Sequence, residues 1–260
     1  YYPSVWKELK QVYYLLLLRE VKTRFGRLKL GWVWIFLEPL LHTILLVAIR
    51  SLWSHRPILP DVPNTVYMLN SLIPWFLFRD ISTRCTTAIA ANKGLFVFSR
   101  IRPWDTVSAR FIIEVFLSCF VYFSLMLGLW WFWDIVVFPT RIAEWFLSLF
   151  LLALLGLGLD GILASVALYF PEISKIKEVL FSLLYFTSGL FFVPSQMPPS
   201  AQFIFRWNPI ALGIEYCKAN TLESYPYIRG GGLFFLLTVL GTFIVGQHIL
   251  NRHISKILNE

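Results

Sequence analysis

The feature that most constrains this chain is a series of apolar runs at residues 30–52, 66–82, 111–133, 145–170, 179–193 and 233–250. A helix crossing the hydrocarbon core of a bilayer needs about 20 mostly apolar residues. The first, third, fourth and sixth runs meet that length cleanly. The second is free of charge only over 66–78, and the fifth is short but strongly apolar. Composition agrees: 57% of the 260 residues are hydrophobic and 15% charged, against about 45–50% and about 25% in a soluble domain. The expected fold is an all-α integral membrane protein with six transmembrane helices and no large soluble domain.

Basic residues test that count. With the N-terminus in the cytoplasm, segments 1–32, 79–110, 171–178 and 251–260 lie inside and hold seven, six, two and two Lys+Arg, 17 of the chain's 23. Arg50, Arg56, Arg141, Arg206, Lys218 and Arg229 lie outside. Such a bias predicts an N-in, C-in topology and an even number of spans. The net charge of +8 therefore reads as orientation rather than as a nucleic-acid surface, and no nucleic-acid partner is expected.

Before the first span, residues 4–18 read as an amphipathic helix. Val5, Leu9, Val12 and Leu16 recur at helical spacing beside Trp6 and Tyr13, with Lys7, Glu8, Lys10 and Gln11 opposite. Lying in the membrane interface is the preferred reading, with packing on a partner as the alternative. The apolar run at 12–18 is too short to span and lacks a cleavage site, so it is not read as a signal peptide. A basic collar follows: Arg19, Lys22, Arg24, Arg27 and Lys29. The chain is read as one transmembrane domain, with helix and collar at 1–29, the six-helix region at 30–250 and a cytoplasmic tail at 251–260. Between the fifth and sixth spans, Pro194, Pro198 and Pro199 stop a helix. Short helices are expected at 202–207 and 210–222, broken at Asn208-Pro209. They form either an external re-entrant hairpin covered by protein or interfacial helices in an external loop.

Catalytic motifs are missing from the sequence. Gly156, Gly158 and Gly161 spell GxGxxG, but inside an apolar helix, where small residues let helices approach closely. No GxxxxGK[ST], HExxH or GxSxG occurs, and Cys85, Cys119 and Cys217 form no CxxC; no catalytic residue, metal or cofactor is expected in this chain. Ionisable groups inside the spans carry more information, because each is costly there. Glu38 and His42 share a face of the first span beside Pro39, and Asp160 lies past the middle of the fourth. They read as a polar pathway, a helix–helix lock or structural hydrogen bonds, while Glu114 lies at the interface near Arg110. Trp130, Trp131, Trp133 and Trp145 are expected in the outer aromatic belt, and Trp32 and Trp34 in the inner one. Phe191, Phe192, Phe203, Phe205 and Trp207, beside the external hairpin, fit either a belt or a carbohydrate passage. In the cytoplasmic segment 91–110, Leu95, Phe96, Val97 and Phe98 are too apolar for a solvated connector and suit a short helix docking into a partner's groove. The charged hinge at 170–179 suits a second contact.

The stretches "REVKTRFGRLKLGWVWIFLEP", "NSLIPWFLF", "AIAANKGLFVFSRIRPWDTVSAR", "YFPEISKIKEVLFSLLYFTSGLFF" and "RWNPIALGIEYCKA" together resemble the polysaccharide-exporting permeases of ATP-binding-cassette (ABC) transporters. The Glu38-Pro39 pair and the run Lys22-Thr23-Arg24-Phe25-Gly26 look closest to the KpsM-type capsular polysaccharide permeases of Gram-negative bacteria. The resemblance covers nearly the whole chain. It implies a homodimer with two separate ATPase subunits, which hold the ATP and Mg²⁺. It also implies a periplasmic adaptor, an outer-membrane exporter and a lipid-linked, usually acidic polysaccharide in the bacterial inner membrane. Leu95, Phe96, Phe98, Arg100, Arg102 and Asp105 would couple to the ATPase, with Glu172 and Lys175 as a second contact. The external hairpin would act as a gate.

Three readings follow. The lead is a permease subunit whose basic collar meets anionic lipid or the substrate's anionic head, at about 1 kcal/mol per basic residue. Permeases for O-antigen or teichoic-acid polymers would share its architecture. A secondary transporter using Glu38, His42 and Asp160 comes next, and a membrane-embedded glycosyltransferase last, since no DxD motif is present.

Overall fold

The computed structural model describes residues 3–25, 31–53, 56–97, 101–223, 225–228 and 230–259. It is helical apart from turns and one isolated bridge between Leu59 and Val62. Helix α1 (Pro3–Phe25) starts on a proline, whose missing N–H costs nothing in a first turn. It runs past the expected end at residue 18 and takes in Arg19, Lys22 and Arg24, because no glycine or proline interrupts the sequence before Gly26. It packs along α5 through Leu16 and Glu20, with Tyr14 and Leu15 facing outward.

The long elements are α2 (Gly31–Trp53), α3 (Asn64–Arg84), α5 (Pro103–Trp133), α6 (Ile142–Ala167) and α10 (Gly232–Asn259). The short α4 (Thr87–Ala91) and a 3₁₀ turn (Lys93–Val97) link α3 to α5. Segment 91–110 thus places Leu95, Phe96 and Val97 in the 3₁₀ turn. From Pro103 onward it belongs to α5, whose 31 residues extend about 46 Å, well beyond a hydrocarbon core of about 30 Å. Helix α7 (Ile173–Thr187) precedes the hairpin made by α8 (Pro199–Arg206) and α9 (Pro209–Ala219). The hairpin breaks at Asn208-Pro209 as expected. Asn208 Oδ1 caps α9 by accepting from the Ile210 and Ala211 amides at 3.0 and 3.2 Å.

Among the described residues, four stretches are long and apolar enough to cross a membrane: Val33–Leu52, Pro103–Trp133, Ile142–Ala167 and Gly232–Ile254. The expected second and fifth spans, α3 and α7, fall short for different reasons. Helix α7 has 15 residues, about 22 Å, less than the core thickness. Helix α3 is long enough but polar, and the bundle is what makes that tolerable. It lies among α2, α5, α6 and α9, with Asn70, Ser71 and Ser82 fully buried. Each of the three donates to the carbonyl four residues earlier, and the Tyr122 hydroxyl donates to Asn70 Oδ1 at 3.0 Å. Polar groups satisfied inside protein do not meet lipid, so hydropathy understates such a helix.

Around this centre, α6 and α10 cross at glycines. A Cβ on Gly158 would sit 2.6 Å from the Thr242 backbone, one on Gly161 would sit 2.9 Å from the Gly246 carbonyl oxygen, and one on Gly246 would overlap the Gly158 carbonyl. The small residues of the GxGxxG match therefore serve close helix approach. Trp130, Trp131 and Trp133 are exposed at the end of α5, as a belt requires. Trp145 departs from that expectation: it is 1% exposed and tilted against Tyr122 with ring centroids 4.5 Å apart. It is a core residue at the start of α6. Trp34 is exposed, and the Trp32 side chain lies outside the described residues. All three thiols are free, Cys85 and Cys217 being buried. Outward-facing Leu41, Ile44 and Ile49 on α2, Phe116 and Phe120 on α5, and Leu237 and Ile244 on α10 form apolar surface that a bilayer would cover.

Candidate functional site

Ionisable side chains concentrate at three places in this apolar bundle. The first is the junction of α1, α4 and α5. Arg110 Nε donates to Glu20 Oε2 at 2.8 Å and Arg110 Nη2 to Glu20 Oε1 at 3.1 Å. Asn92 Nδ2 adds a third bond to the same carboxylate at 3.2 Å. Arg110 Nη1 reaches the Arg84 carbonyl and Thr87 Oγ1, so one guanidinium ties α1 to α5, the end of α3 and α4. Arg19 supports the joint by donating to the Ala91 carbonyl at 3.2 Å, as does the contact between the Tyr13 and Ser108 hydroxyls at 3.0 Å. A bidentate Arg–carboxylate pair holds orientation as well as charge.

The second place lies between α2 and α3. Glu38 Oε1 accepts from Arg79 Nη2 at 2.8 Å. Arg79 also holds Asp80 Oδ1 through Nε and Nη2 at 3.1 and 2.9 Å, and Arg84 approaches that oxygen at 3.7 Å. The Arg79 guanidinium sits 4.7 Å above the Phe76 ring. His42 does not share the Glu38 carboxylate. Its Nδ1 lies 3.0 Å from the Glu38 backbone carbonyl, and its ring meets Phe76 edge-on. Pro39 gives its carbonyl to the Thr43 hydroxyl at 2.7 Å. Two cavities flank this cluster. Glu38, Asp80, Arg84 and Glu114 line one of about 270 Å³; His42 and Arg79 line a groove of about 600 Å³ along α3 and α7.

Asp160 stands apart from both carboxylates. It is 1% exposed, and its Oδ2 accepts the Thr86 amide at 2.7 Å where α3 passes into α4. Among the described residues, no hydrogen bond joins the side chains of Glu38, His42 and Asp160. The structure assembles them into no continuous pathway and gives Glu38 and Asp160 separate helix-locking partners.

The third place is the far end, where Lys218 of α9 is fully buried. Its Nζ donates to the Tyr67 hydroxyl at 3.0 Å and the Gly189 carbonyl at 2.9 Å. It lies 4.7 and 5.0 Å from the ring centroids of Tyr67 and Tyr225. Tyr67 in turn donates to the Phe192 carbonyl at 2.6 Å. Glu215, one turn before Lys218, accepts from the Tyr225 hydroxyl at 3.1 Å and the Ile228 amide at 3.2 Å. Burial pushes Lys218 down to about 7, partly opposed by Glu215; burial raises Glu215, opposed by Lys218. Gly189 takes φ +71°, a left-handed turn that glycine adopts at no steric cost. This network ties α9 to α3 and to the turn after α7.

The model of the ABC-2 type transporter family matches residues 11–222. This chain belongs to the ABC-2 type transporter family. It is 36% identical to the polysialic acid transport protein KpsM of Escherichia coli, over 81% of each chain. It is 29% identical to the capsule polysaccharide export inner-membrane protein BexB of Haemophilus influenzae, over 93% of this chain and 90% of the relative. It is 27% identical to the capsule polysaccharide export inner-membrane protein CtrC of Neisseria meningitidis, over 94% and 91%.

Within this ABC-2 chain, the residues singled out from sequence are dispersed. Leu95 and Phe96 are half-buried in the 3₁₀ turn, with Phe96 packed against the core. The Arg102 amide donates to Asp105 Oδ2 at 2.8 Å, so Asp105 caps the start of α5. Glu172 and Lys175 are exposed where α7 begins. Phe98, Arg100, Arg27 and Lys29 lie outside the described residues, as does the Arg24 side chain; Lys22 is exposed. The hairpin aromatics divide. Phe205 is buried and meets Phe192 at 5.3 Å, while Phe191 stacks on Phe186 at 5.6 Å. Phe203 and Trp207 are exposed, Trp207 meeting Phe234 at 5.0 Å.

Sequence reading of the ABC-2 chain missed Arg79 as the partner of Glu38, the Glu20–Arg110 pair, and the buried Glu215 and Lys218 with their separate partners. One signal was available: a lysine three residues after a glutamate in the otherwise apolar run 210–222. Ionisable groups in such a run need internal partners.

Proposed function

We propose that this chain is the permease subunit of an ABC exporter that moves lipid-linked capsular polysaccharide across the bacterial inner membrane. Its likeness to capsule-export permeases along nearly its whole length is the observation that carries the reading. Two copies pair and bind two ATPase subunits, where ATP and Mg²⁺ act. A periplasmic adaptor and an outer-membrane exporter continue the route. The chain forms one domain with six spans, N-in and C-in; α3 and α7 complete the set because the bundle and the second copy cover them. Helix α1 lies at the cytoplasmic interface, and α8–α9 form the external gate.

Leu95, Phe96, Phe98, Arg100, Arg102 and Asp105 form the main contact with the ATPase, and Glu172 and Lys175 the second. The clamp of Glu20, Arg110 and Asn92 supports this reading, since it makes α1, α4 and α5 move together. The collar of Arg19, Lys22, Arg24, Arg27 and Lys29 meets the anionic end of the substrate or anionic lipid. Expression in an encapsulated strain lacking its own permease is the test. Restored surface polysaccharide, with an ATPase bearing Walker motifs co-purifying at equal stoichiometry, is the expected result. Transport that proceeds without such an ATPase and follows a proton gradient would replace this reading with a secondary transporter.

A further inference from the structure

The groove of about 600 Å³ between α3 and α7 has walls that combine aromatic and basic side chains. Trp75, Phe181, Tyr185 and Phe186 line it, with Trp75 and Tyr185 rings 5.5 Å apart and Tyr185 and Phe186 rings 5.4 Å apart. Flat aromatic faces carry partial negative charge and suit the polarised C–H faces of sugar rings. Beside them stand cationic Arg79 and Lys177, with His42 and a single carboxylate, Glu178. Thr83 and Lys177 also line the next cavity, which contains Asp160, so the two spaces adjoin along α3 and α7.

The decisive detail is how Arg79 is held. A guanidinium has five N–H donors. Nε and Nη2 spend three of them on Asp80 and Glu38. Both carboxylates line the other cavity, not the groove. Nη1 has no hydrogen-bond partner among the described residues, and Arg79 itself lines the groove. Two carboxylates and the Phe76 face therefore fix the guanidinium from behind and leave one edge uncommitted beside the aromatic wall. Nearby on α2, Arg50 lies eight residues, about 12 Å, beyond His42, and its buried Nε is also without a partner.

We propose that this groove carries the chain of an acidic glycan and that Arg79 is the residue that selects it, pairing its free edge with successive sugar carboxylates. Glu38 acts as the resident stand-in for that carboxylate. From the far side it keeps the guanidinium aimed while the groove is empty, and its negative charge offsets part of the guanidinium's pull on the sugar, so that the chain is not held too tightly to move on. This rests on the polysaccharide-exporting reading above.

The test uses the full chain in lipid nanodiscs and two fluorescently labelled probes of equal length, an oligosialic acid and a neutral oligoglucose. Wild type is expected to favour the acidic oligomer at least tenfold, the worth of a charge-assisted hydrogen bond. Arg79→Gln should erase that preference, bringing the affinities for the two probes together. Arg79→Lys should lose most of it, since a point charge does not reproduce the fork. Glu38→Gln, which removes that opposing charge, should tighten the acidic oligomer several-fold. A residue that only locks α2 to α3 would give the opposite sign for Glu38→Gln, so this variant decides the matter even if Arg79→Gln does not accumulate. Retained preference in Arg79→Gln, or equal binding of both probes by wild type, overturns the role of Arg79. Binding of neither probe by wild type removes the polysaccharide reading itself.

Discussion

Glu20 and Arg110, 90 positions apart in the chain, meet in a two-bonded ion pair that fastens the first helix to the fifth. Both side chains are mostly buried, 8% and 16% exposed, so the pair depends on each member being present. Removing one leaves a charge without its counterpart in a poor solvent. Arg110→Met should therefore destabilise the protein by about 3–5 kcal/mol. Glu20→Gln with Arg110→Gln together should cost less than Arg110→Met alone. Thermal unfolding of the purified protein in detergent checks both; a double variant less stable than Arg110→Met would contradict the pairing.

The α6–α10 crossing tolerates no side chain on its contact line. Gly246→Ala places a methyl group on the Gly158 carbonyl, and backbone on both sides cannot yield as a side-chain tip would. Overpacking of this kind costs about 1–3 kcal/mol or more. Gly241→Ala in the same helix, where a Cβ meets nothing within 4 Å, should be neutral. Size-exclusion profiles and yields of the two variants give a direct comparison.

Asp160 is predicted to act as a hydrogen-bond acceptor rather than as a proton carrier. Asp160→Ala strands the Thr86 amide and should lower stability by about 1–3 kcal/mol. Asp160→Asn keeps an oxygen in place and should retain both most of that stability and transport. Loss of transport in a well-folded Asp160→Asn variant would return this residue to a titrating role.

Lys218 gives a pH signature. Its folded value of about 7 lies below the ordinary 10.5. Between those limits the unfolded chain binds the proton that the folded chain has released, so this lysine makes stability rise with pH across that window. Lys218→Met should remove that part of the slope between pH 7 and 9 while Glu215, Tyr67 and Tyr225 remain. Melting temperatures of both proteins at the two pH values test it; equal slopes would show that the buried amine does not titrate there.

The sequence by itself determined a membrane-embedded helical chain, its family, its charge bias and the break that Asn208-Pro209 makes. Run length, Lys and Arg counts and proline positions act locally and survive without knowledge of neighbours. Asn208-Pro209 illustrates this, since the break needs only a cap and a missing donor. Tertiary structure alone decided the rest. Hydropathy measures transfer into lipid, so it understates α3, whose Asn70, Ser71 and Ser82 are enclosed in protein. Trp145 matched a belt position by sequence yet fills the core, because helix rotation sets which face meets lipid. Glu38 announced that it needed a partner, but Arg79 stands 41 positions away. Only the packing of α2 on α3 brings the two side chains to the same depth and the same side.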